Sequence, residues 1–149
     1  MKLTNQQLSA LIIRPGLAKL RQTDGLPARF TFPLRLLIKQ LTPAVEAYDE
    51  ARRAIAEKYC LRSDDGKPKF GVGESFLWPS ADAMRGVEAE MRELNALEFE
   101  IQGERVRADL EALEKLGYRP SVQDLLDLEP LIDFVIPPPT ATDKPGGDV

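Results

Sequence analysis

The stretch SDDGKPKFGVGE, residues 63–74, places three carboxylates and three glycines within twelve positions. Two kinds of chemistry use such material. A calcium loop needs oxygen ligands at its positions 1, 3, 5 and 12 around a central glycine. Here Lys67 and Lys69 stand among the would-be ligands, and the alternation of oxygen donors is missing. A phosphate loop needs a lysine and a hydroxyl residue after its last glycine. Gly73 is followed instead by Glu74, which repels phosphate. What remains is turn chemistry at Asp65-Gly66, flanked by the strand-like ends KPKF and ESFLW. The spacing predicts a connector built as a small β-hairpin. Its aromatic residues Phe70, Phe76 and Trp78 are candidate contacts for a partner.

The rest of the composition narrows the chemistry further. The 149 residues contain no histidine and one cysteine, Cys60. This removes Ser-His-Asp and Cys-His catalysis and every Cys/His zinc site. A carboxylate pair or a carboxylate-only metal site stays open, but sequence spacing does not place two acids in one cleft. Cys60 follows a predicted helix, where the negative end of the helix dipole disfavours a thiolate. The reading is therefore non-catalytic, with no cofactor and no metal. A lone cysteine also excludes an intrachain disulfide and fits a reducing cytosol. No run approaches the roughly 18 apolar residues of a membrane span, and the N-terminal residues lack a signal-peptide pattern. No membrane partner is expected.

Two amphipathic helices must position the connector. Leu34, Ile38, Leu41, Val45, Tyr48, Arg52, Ile55 and Tyr59 alternate steps of four and three, an uninterrupted heptad seam. It predicts one helix over about 31–59, kinked at Pro43, where the amide donor is lost. Arg52 is the odd member. Its stem is expected to pack while its head reaches an edge or a glutamate on the facing helix, and an anion site is the alternative. After Trp78, Pro79 and Ser80 suit a helix start, and Met84, Val87, Met91 and Leu94 form a second seam. The pair reads as an antiparallel helical hairpin, about 31–59 and 80–96.

The flanking segments are shorter. Thr4 with Gln7 forms a capping-box pattern for a helix near 5–21, broken around Arg14–Gly16. FEIQGERV predicts a short strand near 98–102, or a strand pair turning at Gly103. RADLEALEKLG reads as helix, Ser121 with Asp124 opens another short one, and LIDFVI is a strand or an irregular closing segment. The fold class is mainly α, one helical-hairpin domain over 1–136. The Pro-rich end, 137–149, is expected to be a disordered tail.

The order LPARFTFPLRLLIKQLTPAVEAYDEARRAIAEKY, then DDGK, an acidic helix, EFEI, DLEAL and SVQDLLDLEPLID, resembles a family of small proteins of tailed bacteriophages and prophages known only as a domain of unknown function. The resemblance covers roughly 1–134 and is one of layout. It implies a phage or prophage origin, and a place in the bacterial host cytosol or the virion. It implies no catalytic residues.

Charge separates the remaining readings. Residues 1–62 hold eleven Lys/Arg against five Asp/Glu, and 63–149 hold nine against nineteen. A protein-protein interaction module is the main expectation, with an unidentified phage or host partner; self-association into a homo-oligomer is a further way to cover the seams. The alternatives are an acidic inhibitor of a host nucleic-acid enzyme or defence system, and weak nucleic-acid binding. The first would use Glu88, Glu90, Glu93, Glu98, Glu100 and Glu104. The second would use Arg14, Lys19, Arg21, Arg29, Arg35 and Lys39. The acidic pI, about 5.0, argues against the second.

Overall fold

The computed structural model describes residues 1–136, so the expected tail at 137–149 lies outside the described residues. The chain is mainly helical. In order it forms β1 (Lys2–Thr4), α1 (Asn5–Ile13), α2 (Gly16–Arg21), α3 (Ala28–Tyr59), α4 (Ala81–Ala96), β2 (Glu98–Glu100), β3 (Val106–Asp109), α5 (Leu110–Lys115), α6 (Val122–Leu128) and β4 (Ile132–Val135). It divides into two compact units. One comprises Met1–Leu8 with Lys39–Gln102, the other Ser9–Ile38 with the residues from Gly103 onward. The division falls within α1 and α3.

The first unit holds the helical hairpin. α4 begins at Ser80, whose side chain accepts from the Ala83 amide at 3.1 Å, and it runs antiparallel to the C-terminal part of α3. Three contacts fix that direction. Tyr48 donates its hydroxyl proton to Asn95 Oδ1 at 2.7 Å. Lys58 donates to Glu90 Oε1 at 3.0 Å. Gly86 lies so close to the Tyr59 ring that a Cβ there would come within 2.5 Å of it. The N-terminus of α1 is tied to the same end. Asn5 Nδ2 donates to the Leu94 carbonyl (2.9 Å), and β1 pairs antiparallel with β2, Leu3 opposite Phe99. Gln40 closes the loop after β2 by a two-way bond with the backbone of Gln102 (2.8 and 2.6 Å). Leu3, Leu8, Leu41, Tyr48, Cys60 and Ile101 are the buried apolar residues of this unit.

The second unit is smaller in its elements and denser in its burial. β3 and β4 pair in parallel, Val106 opposite Ile132 through Asp109 opposite Val135, with α5 and α6 making the crossover that parallel pairing requires. Leu113, Tyr118, Leu128, Leu131 and Ile132 are buried here, with Phe30, Leu34 and Leu37 of α3. α2 packs on α6 at Gly16, where a Cβ would sit 3.3–3.4 Å from the backbone and Cβ of Asp124. The Ser121–Asp124 capping box of α6 is complete, with reciprocal bonds of 3.1 and 2.8 Å.

Several boundaries differ from the sequence expectation for physical reasons. α3 starts at Ala28 because Pro27 opens it, its carbonyl accepting from Phe30 and Thr31. It is one helix through both Pro33 and Pro43. The N-terminal helix is interrupted where expected, between Ile13 and Gly16. The strand pair turning at Gly103 does not form, because β2 joins β1 and β3 joins β4. The Thr4–Gln7 capping box is present in both directions (3.1 and 2.8 Å).

The Tyr48 hydroxyl is a direct handle on the hairpin. Tyr48→Phe keeps the ring and removes one hydrogen bond in a largely buried setting, so it is expected to cost about 1 kcal/mol. Urea unfolding measures it, and Asn95→Ala in the Tyr48→Phe background should add little further loss if the two groups act as a pair.

Candidate functional site

The connector between α3 and α4 is a three-pass meander held by sparse backbone bonds. Arg62 bridges Pro68 and Phe70 bridges Phe76, both antiparallel. Leu61 donates to Leu77 and Lys69 to Leu61, while Gly71 donates to Ser75. Asp65-Gly66 makes the first turn. Gly66 has φ +80°, its amide donates to Ser63, and the Asp65 carboxylate accepts from the Ser63 hydroxyl and the Lys67 amide. These two bonds, the hydroxyl's first, hold the Asp65 carboxyl below the usual range. The Asp65 carboxylate is thus engaged within the turn. Among the described residues no three His, Cys, Asp or Glu side chains group as metal ligands.

The second turn is unusual. A single 3-10 turn, Val72–Glu74, carries Gly73 at φ +73° and Glu74 at φ +58°. A glutamate in the left-handed region stores strain that the neighbouring pairing must hold. This turn lifts Val72 clear of the surface, 99% exposed. Beneath it Phe70 and Phe76 meet with ring centroids 5.0 Å apart, and Phe76 stacks on Trp78 at 6.1 Å. Phe70 is half exposed. An open hollow of about 510 Å3 lies alongside, lined by Arg53, Phe70, Glu74 and Phe76. Arg53 is itself paired with Glu57 at 3.1 Å. The structure therefore brings Phe70, Phe76 and Trp78 into one aromatic row, with Val72 as an apolar tip that sequence reading did not single out.

Arg52 stands apart from this row. It is exposed, and its guanidinium lies over the Tyr48 ring (5.5 Å to the centroid) and 3.7 Å from Asp49 on its own helix. Of the two expected placements, an edge or a glutamate of the facing helix, its exposed head fits the edge, with its ion pair to Asp49 of its own helix. Glu88 and Glu93 are exposed on α4. Glu90 is turned into the hairpin against Tyr59 and Lys58. The Tyr59 hydroxyl first, then the Lys58 ammonium, hold its carboxyl below the ordinary value, and Glu90 in turn raises both partners. The acidic row is therefore interrupted at its centre. Cys60 is buried, with its thiol donating to the Glu57 carbonyl at 3.3 Å.

The cations proposed for nucleic acid divide in two. Arg14 pairs with the buried Asp127 at 2.9 Å and Lys19 with the buried Asp124 at 2.6 Å. These two are committed to holding α6. Arg21, Arg29, Arg35 and Lys39 are exposed. A second hollow, about 420 Å3, includes Lys19, Tyr118 and Arg119 in its lining. Its cations are also engaged, Arg119 donating to the carbonyls of Glu114 (2.6 Å) and Tyr118 (3.1 Å). The Tyr118 hydroxyl is buried without a partner, and burial, then the Asp124 charge, push it up to about 12.

Comparison with family models, with curated proteins and with solved structures finds no match to this chain. No helix among the described residues is long and apolar enough to cross a membrane.

Proposed function

We propose that this chain is a non-catalytic protein-protein interaction module that uses the α3–α4 connector as its contact site. The observation that carries the reading is the placement of Val72 and the Phe70–Phe76–Trp78 row at the end of a two-helix hairpin. Aromatic side chains lose little entropy on binding and bury large areas, which makes them the usual anchors of an interface. The strained Val72–Glu74 turn presents an apolar residue to water at no visible benefit to folding. The layout of residues 1–134, which resembles small phage and prophage proteins, supports an origin there. The partner is then a phage or host protein met in the host cytosol or in the virion.

The test is cross-linking affinity capture from phage-infected cells, with the wild-type chain and the Phe70→Ala/Val72→Ser double variant compared quantitatively. A specific protein cross-linked at residues 70–78, and recovered at least about ten-fold less with the variant, is the expected outcome. Equal recovery with both baits, or cross-links that avoid the connector, would count against the reading. Circular dichroism of the variant confirms that the hairpin is intact.

A further inference from the structure

The unit formed by Ser9–Ile38 and the residues from Gly103 onward carries a surface that the connector does not explain. The first three turns of α3 bury Phe30, Leu34 and Leu37. Phe32 and Leu36 point elsewhere, 65% and 48% exposed. They are separated by one helical turn, and Arg29 and Arg35 border them, both exposed. At about 100° per residue, Arg35, Phe32, Leu36 and Arg29 follow one another around an arc of about 120°. From Arg29 to Leu36 the face is roughly 10 Å long, about two helical turns. Among the described residues neither arginine has a carboxylate partner. The arrangement is an apolar pair edged on both sides by guanidinium groups.

We propose that this face of α3 docks an acidic amphipathic helix of a partner protein, with the partner's apolar stripe on Phe32 and Leu36 and its carboxylates on Arg29 and Arg35. Charge complementarity selects the occupant. Arginine presents a planar fork that matches a carboxylate with two parallel bonds, and an apolar pair one turn apart fits the i, i+4 stripe of a facing helix. Nucleic acid is a poorer occupant. Two cations neutralise too few phosphates to hold at physiological salt, and the chain's net charge of −4 opposes the approach. A lipid surface is a poorer one too, because interfacial binding needs a broader apolar face than two side chains.

The experiment is a titration of the full-length protein with a synthetic helix of about 16 residues, carrying one leucine stripe flanked by glutamates. A matched peptide has glutamine in place of glutamate. Amide chemical shifts of the labelled protein report affinity and location together. Saturable binding is expected, with shifts centred on residues 29–36. Binding should be at least about ten-fold weaker for the glutamine peptide, for Arg29→Glu/Arg35→Glu and for Phe32→Ala. Phe70→Ala should leave it unchanged, so this result stands or falls separately from the connector. The proposal is overturned if the glutamate peptide fails to saturate, if both peptides bind equally, or if the shifts lie elsewhere. It is also overturned if duplex DNA or phosphatidylserine vesicles bind this face and the peptide does not. Should charge reversal reduce helicity, Arg29→Gln/Arg35→Gln replaces it with the same expected loss.

Discussion

Replacing Gly86 with alanine is expected to lower the melting temperature of this protein rather than raise it. Glycine inside a helix costs about 1 kcal/mol relative to alanine, so the same change on an open helix face stabilises. At Gly86 the added methyl would sit 2.5 Å from Tyr59 Cε1 and 2.8 Å from Cζ. A rigid ring cannot bend away from such a contact, so it must move as a whole or the helices must separate. Overpacking of this kind costs about 1–3 kcal/mol. Tyr59 is half-buried, so some of the strain relaxes, and a net loss of about 1 kcal/mol is expected. For a chain of this size that is roughly 2–6 °C. In a Tyr59→Ala background the ring is gone, and Gly86→Ala should then stabilise. The reversal of sign is the readout, and thermal unfolding of the four proteins supplies it. A stabilising Gly86→Ala with Tyr59 present would contradict the close approach of α3 and α4.

The second large effect lies at Asp124. Only 2% of it is exposed, yet it is charged. Lys19 donates to it at 2.6 Å, and the Ser121 amide donates at 2.8 Å in the capping box. Burial alone would raise its carboxyl. The Lys19 hydrogen bond, with the Ser121 bonds beside it, outweighs burial and holds it below the ordinary value of 3.8. A depressed carboxyl contributes stability that is present above its unfolded value, near pH 4, and is lost as the pH falls through its folded value. Acid should therefore loosen α6 below about pH 4. Asp124→Asn keeps the shape but removes the charge. It is expected to cost about 2 kcal/mol at neutral pH, less than breaking a fully buried pair, because Lys19 is 41% exposed and can turn to water. It should also flatten the acid limb of the stability profile. Denaturant unfolding from pH 3 to 7 on both proteins checks this. An unchanged acid limb would show that Asp124 is not the titrating group.

Helices were legible in the sequence wherever local chemistry specified them. The Thr4–Gln7 and Ser121–Asp124 boxes, Ser80 before α4 and the long seam of α3 each act within a few residues, and each is present. Strand partners were not legible. β1 is three residues long and has no period to detect, and it is specified by β2 nearly a hundred residues away. The fate of charges was equally hidden. Arg14, Lys19, Asp124 and Asp127 look like solvated residues until α6 is brought onto α2 and the break that precedes it, since each pair spans over a hundred positions. For Arg52 the sequence left an edge and a facing glutamate both open, because a seam position does not reveal that the Tyr48 ring one turn earlier lies within reach of the guanidinium.

The candidate surfaces were partly readable. The aromatic row was visible in KPKF and ESFLW, because side chains two apart in a meander share a face. Val72 was not, since its prominence comes from left-handed backbone at Gly73 and Glu74. Phe32 and Leu36 carried a usable signal. Both fall off the seam marked by Leu34, Ile38 and Leu41, and apolar residues on the wrong side of an amphipathic helix point to a second neighbour.

The arrangement on which the connector reading depends is the antiparallel register of α3 and α4. Its most direct test is nuclear Overhauser contact in the full chain. The register described here predicts cross-peaks between the Tyr59 ring and the Gly86 α-protons, together with cross-peaks between the Tyr48 ring and the Asn95 side chain. Absence of both pairs, or Tyr59 found beside Asn95 instead, would contradict it.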